Sequence, residues 1–310
     1  MSAGSPVLPA GSITHLKAEV GGAVVLTGSH GGTFVAAYAL RLGAGALICH
    51  DAGFGLERAG IAGLAMLDEH DIPAAAVGHD SARIGDAGDM QARGRISAAN
   101  RAARALGVRE GQACRDTVAR LAAAVGRRPG AQGDGRDGAV AAAQAQAARA
   151  QAAQAQVAQA QAAQAQPLDG QGDHRHVLGK VRCRLFPEPV EIVCLDSASD
   201  ITDGDAGKVV LTGSHGGLPA GETASAVKAG VRLVAFNDAG VGVDRAGIAR
   251  LPVLDGLGIP GIAVAAASAR IGDGRSTYGT GRISHVNALA RELGIAPGAT
   301  IRDILRPAAG

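Results

Sequence analysis

Val24–Gly32 reads VVLTGSHGG, and Val209–Gly217 repeats it residue for residue. Three β-branched or aliphatic residues running into Thr-Gly read as a short buried strand that ends in a glycine-rich turn. The match extends outward. His50–Leu64, HDAGFGLERAGIAGL, aligns with Asn237–Leu251, NDAGVGVDRAGIARL. SARIGD stands at Ser81–Asp86 and Ser268–Asp273, and GRIS at Gly94–Ser97 and Gly281–Ser284. Asn100 and Asn287 follow GRIS at equal distance. One unit, near 14–121 and again near 197–306, is therefore written twice, and internal repeats outrank local signals in reading a fold.

Within each copy, apolar runs alternate with helix-like segments. Ala23–Thr27, Ala46–Cys49 and Ala74–Val77 read as strands in the first copy; Lys208–Leu211, Leu233–Phe236 and Ile262–Val264 do so in the second. Helical segments fall at Ala36–Leu42, around Ile61–Leu67 and at Ser97–Leu106. The runs are continuous rather than alternating, the pattern of strands covered on both faces, and the βα alternation predicts parallel pairing with right-handed crossovers. The fold class expected is α/β. An internally duplicated βαβαβα unit would form one six-stranded doubly wound parallel sheet with pseudo-two-fold symmetry, the alternative being two separate three-stranded lobes packed face to face. Its two central strands would bring both GSHGG turns to the crevice where the strand order reverses.

The expected organisation is a first repeat unit at 1–124, an Ala/Gln-rich low-complexity linker at 125–193, and a second unit at 194–310. Ala139–Gln166 is almost wholly Ala and Gln, good helix formers that offer no stripe of large apolar residues to bury. The stretches between the shared loops differ more than the loops do, TFVAAYALRLG against LPAGETASAVKAG. That difference directs attention to the loops.

Composition narrows the function. Among 310 residues, aromatics are 2% with no Trp, too few to stack bases along a single strand. A formal charge of +2 gives no field for a polyanion, so no nucleic-acid partner is expected. Four cysteines without a C-x-x-C pattern suit a reducing compartment. The start, MSAGSPVLPAGS, lacks a charged-then-apolar leader, and no apolar run is long enough to span a bilayer. The expectation is a cytoplasmic protein without a membrane partner.

Three loops follow strands and carry the candidate chemistry. In the GSHGG turns, His30 and His215 titrate near neutrality and suit acid–base work, while Ser29, Gly31, Gly32, Ser214, Gly216 and Gly217 offer hydroxyls and backbone N–H groups to an anion. At the second strand ends, Asp51 and Asp238 would orient those imidazoles; a turn carboxylate is the plainer reading. In SARIGD, Ser81, Arg83, Ser268 and Arg270 would hold a carboxylate or phosphate, Arg by its two-pronged guanidinium. An ion pair with Asp86 or Asp273 is the plainer reading there.

The copies also differ. The first has His50, His79 and Asp80 where the second has Asn237, Ala266 and Ala267; the second adds Ser276, Thr277, Tyr278 and His285. His30, His50, Asp51, His79 and Asp80 contain metal-ligand types without a metal spacing, so no metal and no cofactor is expected. The function expected is an enzyme that uses His/Asp acid–base chemistry on a small anionic carboxylate or phosphate substrate, as a hydrolase, lyase or isomerase. The alternative is a nucleotide- or phosphate-ligand-binding protein without turnover. A third reading is an assembly module whose Ala/Gln segment mediates homo-oligomerisation.

Overall fold

The computed structural model describes residues 4–16, 20–126, 174–219, 227 and 229–306. The Ala/Gln stretch at 139–166 and most of the LPAGETASAVKAG stretch lie outside the described residues. The chain divides into two compact units, Met1–Asp51 with Ile61–Gly172, and Ala52–Gly60 with Asp173–Gly310. Residues 52–60 of the first repeat are thus counted with the second unit.

The first unit holds a five-stranded sheet: β1 (Val7–Ala10), β2 (Val24–His30), β3 (Ala46–His50), β4 (Ala74–Val77) and β5 (Ile96–Ala99), paired in chain order. β1 to β4 run parallel and β5 pairs antiparallel to β4. The second unit holds a six-stranded sheet: β6 (Arg175–Val181), β7 (Val190–Leu195), β8 (Val209–His215), β9 (Leu233–Asn237), β10 (Gly261–Val264) and β11 (Ile283–Val286), again in chain order. Here β7 to β10 are parallel, and the edge strands β6 and β11 are antiparallel to their neighbours.

The α/β class holds, with mostly parallel strands. The single six-stranded doubly wound sheet does not. β2 and β8 belong to different sheets, and neither sheet reverses its strand order, so the expected crevice at a switch point is not formed. The physical reason is that each half supplies more strands than its three obvious apolar runs. Ser97–Ala99, read as the start of the helix Ser97–Leu106, belongs to the antiparallel strand β5, with β11 its counterpart, and a five-residue helix follows at Arg101–Ala105 or Ala288–Glu292. β1 carries Pro9 and lies at an edge, where a missing N–H costs no ladder bond.

Both faces of the central strands are covered. Val24, Leu26, Ile48 and Val77 pack with Met90 and Leu121 from the helices Ala87–Arg93 and Cys114–Val125. In the second unit, Val209 and Leu211 pack with Ile283 and Ile301, while Val210, Val234 and Phe236 pack with Leu251 and Leu254 on the opposite face. α1 (Thr33–Arg41) and α2 (Gly63–Glu69) lie against each other in the first unit. Leu26 and Leu211 are wholly buried; truncating either to Ala costs about 2–5 kcal/mol. No described helix is long and apolar enough to cross a membrane.

The pairing of TGSHGG with SARIGD has a backbone cause. Gly85 N–H donates to Gly28 O at 2.9 Å, and Gly272 N–H to Gly213 O at 2.7 Å. A Cβ at Gly28 would meet Gly85 and Asp86 backbone, and one at Gly213 would meet Gly272 and Asp273 backbone. Glycine is required because two main chains touch there. Asp86 and Asp273 then cap the following helices, accepting from Asp89 N–H and Ser276 N–H.

Candidate functional site

In the first unit, the candidate groups gather where β2, β3 and β4 end. The register aligns His30 with His50 and His50 with Val77, two residues before His79. Adjacent strands lie about 4.8 Å apart, so the ends of β2 and β4, with β3 between them, are roughly 10 Å apart.

Each imidazole has a defined tautomer. Gly32 N–H donates to His30 Nδ1 at 3.1 Å, so the proton of neutral His30 is on Nε2. Burial, helped by His50, lowers the His30 pKa to about 4. His50 is buried, and its Nε2 lies 3.0 Å from Ala82 O, an acceptor only, so Nε2 carries the proton. Burial also lowers the His50 pKa, with Asp51 opposing and His79 adding to the shift. His79 is different. Its Nδ1 lies 3.1 Å from Asp51 Oδ1, and its backbone N–H donates to the same oxygen at 2.9 Å. A carboxylate accepts, so Nδ1–H points at Asp51 and Nε2 keeps its lone pair. The Asp51 side chain is 1% exposed and that of His79 is 31% exposed. A buried carboxylate thus orients a more exposed imidazole, the geometry of an Asp–His dyad.

The sequence reading pairs Asp51 with the GSHGG imidazole; the structure brings Asp51 onto His79, which that reading kept only as a metal-ligand type. The signal was present, because Asp51 follows β3 and His79 follows β4, and consecutive parallel strands are neighbours. The remaining first-unit candidates serve the backbone. Ser29 Oγ accepts from Ile13 N–H, and Ser81 Oγ–H donates to Gly78 O while accepting from Arg95 N–H. Gly31 N–H donates to His50 O. The Arg83 guanidinium stands 3.5 Å from Asp89.

In the second unit, His215 Nδ1 accepts from Gly217 N–H at 3.1 Å, and Gly216 N–H donates to Asn237 O. Asn237 Nδ2–H donates to Ala269 O, the bond that His50 makes to Ala82 O in the first unit. Asp238 Oδ1 accepts from Gly240 N–H and Ala266 N–H, the latter matching the bond from His79 N–H to Asp51, but Ala266 brings no imidazole. Ser214 Oγ accepts from Ala198 N–H; Ser268 Oγ–H donates to Ala265 O and accepts from Arg282 N–H. Arg270 binds Glu57 with two prongs, Nε to Oε2 at 2.6 Å and Nη2 to Oε1 at 3.0 Å, and lies 3.8 Å from Asp273. His285 lies where Arg245 and burial lower its pKa and Asp238 raises it, burial being the largest cause.

Cys49 is buried and its thiol is pushed upward by burial and by Asp51, so it does not supply a thiolate. Among the described residues, no group of three or more His, Cys, Asp or Glu is placed to hold a metal ion. The arrangement sets a ring N–H hydrogen-bond donor at His30 Nε2 and a carboxylate-bound imidazole at His79. Comparison with protein-family models, with curated proteins and with solved structures finds no match to this chain.

Proposed function

We propose that the first unit is an acid–base catalytic centre for a small anionic molecule, with His79 as the base. The observation that supports this is the Asp51–His79 pair. The buried carboxylate accepts from Nδ1–H, and in the neutral ring this puts the basic lone pair on Nε2 of the less buried partner. His30, neutral at pH 7, is the complementary group. Its Nε2–H donates a hydrogen bond to an oxygen on which negative charge develops, without the cost of placing a cation there. Such a pair suits proton abstraction beside a carbonyl, or activation of water toward one. The reading places the function among isomerases, lyases and hydrolases.

The phosphate-cradle alternative is less favoured. The N–H groups of Gly31, Gly32, Gly216 and Gly217 all donate inside their own loops or to neighbouring strands, and so are already engaged. We further propose that the halves derive from one duplicated unit and have divided the work, with the imidazole base kept in the first. The replacement of His79 by Ala266 beside an otherwise matching Asp supports this.

The test begins with a thermal-shift screen of small carboxylates and phosphates on the full chain, since a ligand of the native state raises its melting point. Compounds that bind are then assayed for turnover with His79→Asn. Binding retained with turnover reduced by about 10²–10⁴-fold is expected for loss of a general base. Full turnover in His79→Asn overturns the assignment.

A further inference from the structure

The ion pair between Glu57 and Arg270 joins residues 213 apart in sequence, both within the second unit. Its two ends are held differently. Arg270 sits on a firm loop: its N–H donates to Ser276 Oγ at 2.9 Å, and two residues on, Gly272 is bonded to Gly213. Glu57 sits on a segment in a conformation that side chains rarely adopt. Ala52, Phe54, Glu57 and Arg58 have φ of 49°, 61°, 54° and 57°. Consecutive left-handed residues with side chains persist only where contacts hold them. Those contacts include the bond from Leu56 N–H to Ala266 O at 2.8 Å and the Glu57 carboxylate itself.

We propose that Arg270 is the carboxylate-recognising residue of a ligand site in the second unit and that Glu57 fills that site as a tethered competitor. The planar, two-pronged contact is the geometry with which a guanidinium takes a small-molecule carboxylate, and here the chain's own carboxylate displays it. The Glu57 side chain is 60% exposed, so it leaves without opening the core, whereas Arg270 is only 33% exposed and stays with its loop. Asp273, at 3.8 Å, is the second acid facing the guanidinium and limits the site to ligands that also displace or tolerate it. Ser268 is committed to Ala265 and Arg282 and is not a ligand donor. The inference goes beyond the proposed function, which concerns the first unit, and does not rest on its acid–base assignment.

The test measures succinate and inorganic phosphate binding by calorimetry to the full chain, to Glu57→Gln and to Arg270→Gln, with thermal melting as the check on folding. Removing an exposed competitor should tighten succinate binding about two- to fivefold, given the modest worth of exposed ion pairs. Arg270→Gln should abolish it, and phosphate should gain less than succinate does. Should Glu57→Gln melt too early to be assayed, Glu57→Asp, which shortens the tether, must show a smaller gain in the same direction. Equal affinities in Glu57→Gln and the unaltered chain overturn the tether while leaving Arg270 as an anchor. Succinate binding that survives Arg270→Gln, or no succinate binding to any of the chains, overturns the site and makes the pair a structural latch. None of these outcomes depends on His79, so the acid–base assignment stands or falls separately.

Discussion

Asp51 Oδ1 holds His79 twice, accepting its backbone N–H at 2.9 Å and lying 3.1 Å from its Nδ1. The backbone bond sets where the loop after β4 lies, and the ring bond sets which nitrogen is protonated. The same oxygen therefore fixes position and tautomer. Nitrogen-detected NMR of the histidine rings at pH 8 should report His79 as the Nδ1–H form and His30 as the Nε2–H form. Asp51→Asn should convert part of the His79 population to the other tautomer; an unchanged spectrum would mean that the carboxylate does not control the ring.

The His30 titration supplies a second expectation. Its pKa is about 4 in the folded chain, against an ordinary value near 6.5. The unfolded chain therefore binds this proton first as pH falls. Stability is complete above about pH 6.5, declines between about 6.5 and 4, and is level in this respect below 4. The change attributable to His30 is no more than about 3 kcal/mol. The His30 ring proton resonances should stay flat from pH 8 down to about 5.5, and His30→Asn should reduce the slope of stability over that window. A ring that titrates near 6.5 would show that burial does not hold it neutral.

Gly28 and Gly213 should resist any side chain. A methyl group at either meets the backbone of the SARIGD loop, which cannot rotate away as a side chain does. Gly28→Ala and Gly213→Ala are each expected to cost about 1–3 kcal/mol or more in urea unfolding, against ~0.5 kcal/mol or less for a change at an exposed site. Variants that unfold at the unaltered midpoint would show that the two loops do not touch.

Arg175 and Asp205 form a two-pronged pair at 2.6 and 2.8 Å, with the Asp205 side chain fully buried. The Arg175 hydrogen bond is the main cause that lowers the Asp205 pKa to about 2. A depressed carboxylate stabilises the fold above its ordinary pKa, and that contribution is lost as pH falls from about 4 through 2. Asp205→Ala should cost about 2–4 kcal/mol at pH 7 and much less at pH 2. An equal cost at both pH values would assign the effect to packing alone.

What could be read from residues follows from what periodicity encodes. The strands β2, β3, β4 and β8, β9, β10 stood out because they are unbroken apolar runs of β-branched and aliphatic residues. β5 did not, since Ile-Ser-Ala-Ala resembles the start of the helix that follows, and only pairing with β4 makes it a strand. β1, β6 and β7 lie outside the repeated unit, so the comparison that exposed the other strands could not reach them. Without them three strands per half looked too few to stand alone, and pooling the halves into one sheet became the natural error. At the site, the repeated loops marked where to look, but equal spacing does not say which neighbour a carboxylate selects. Asp51 and His79 are 28 residues apart and meet through the adjacency of β3 and β4.

The placement of residues 52–60 in the second unit bears on how the chain is made. Glu57 leaves the ribosome 213 residues before its partner Arg270. At ~5–20 residues per second, synthesis separates the two by roughly 10–40 s. Over that interval the left-handed residues at 52–58 have their local bonds, such as Gly60 N–H to Phe54 O, but lack the Leu56–Ala266 bond and the Glu57–Arg270 pair. The segment's final shape is then a late, long-range event, of the kind that slows folding through the sequence distance it must close. The nascent chain consequently carries a loop whose bonds to Ala266 and Arg270 are completed only when the C-terminal residues have been made.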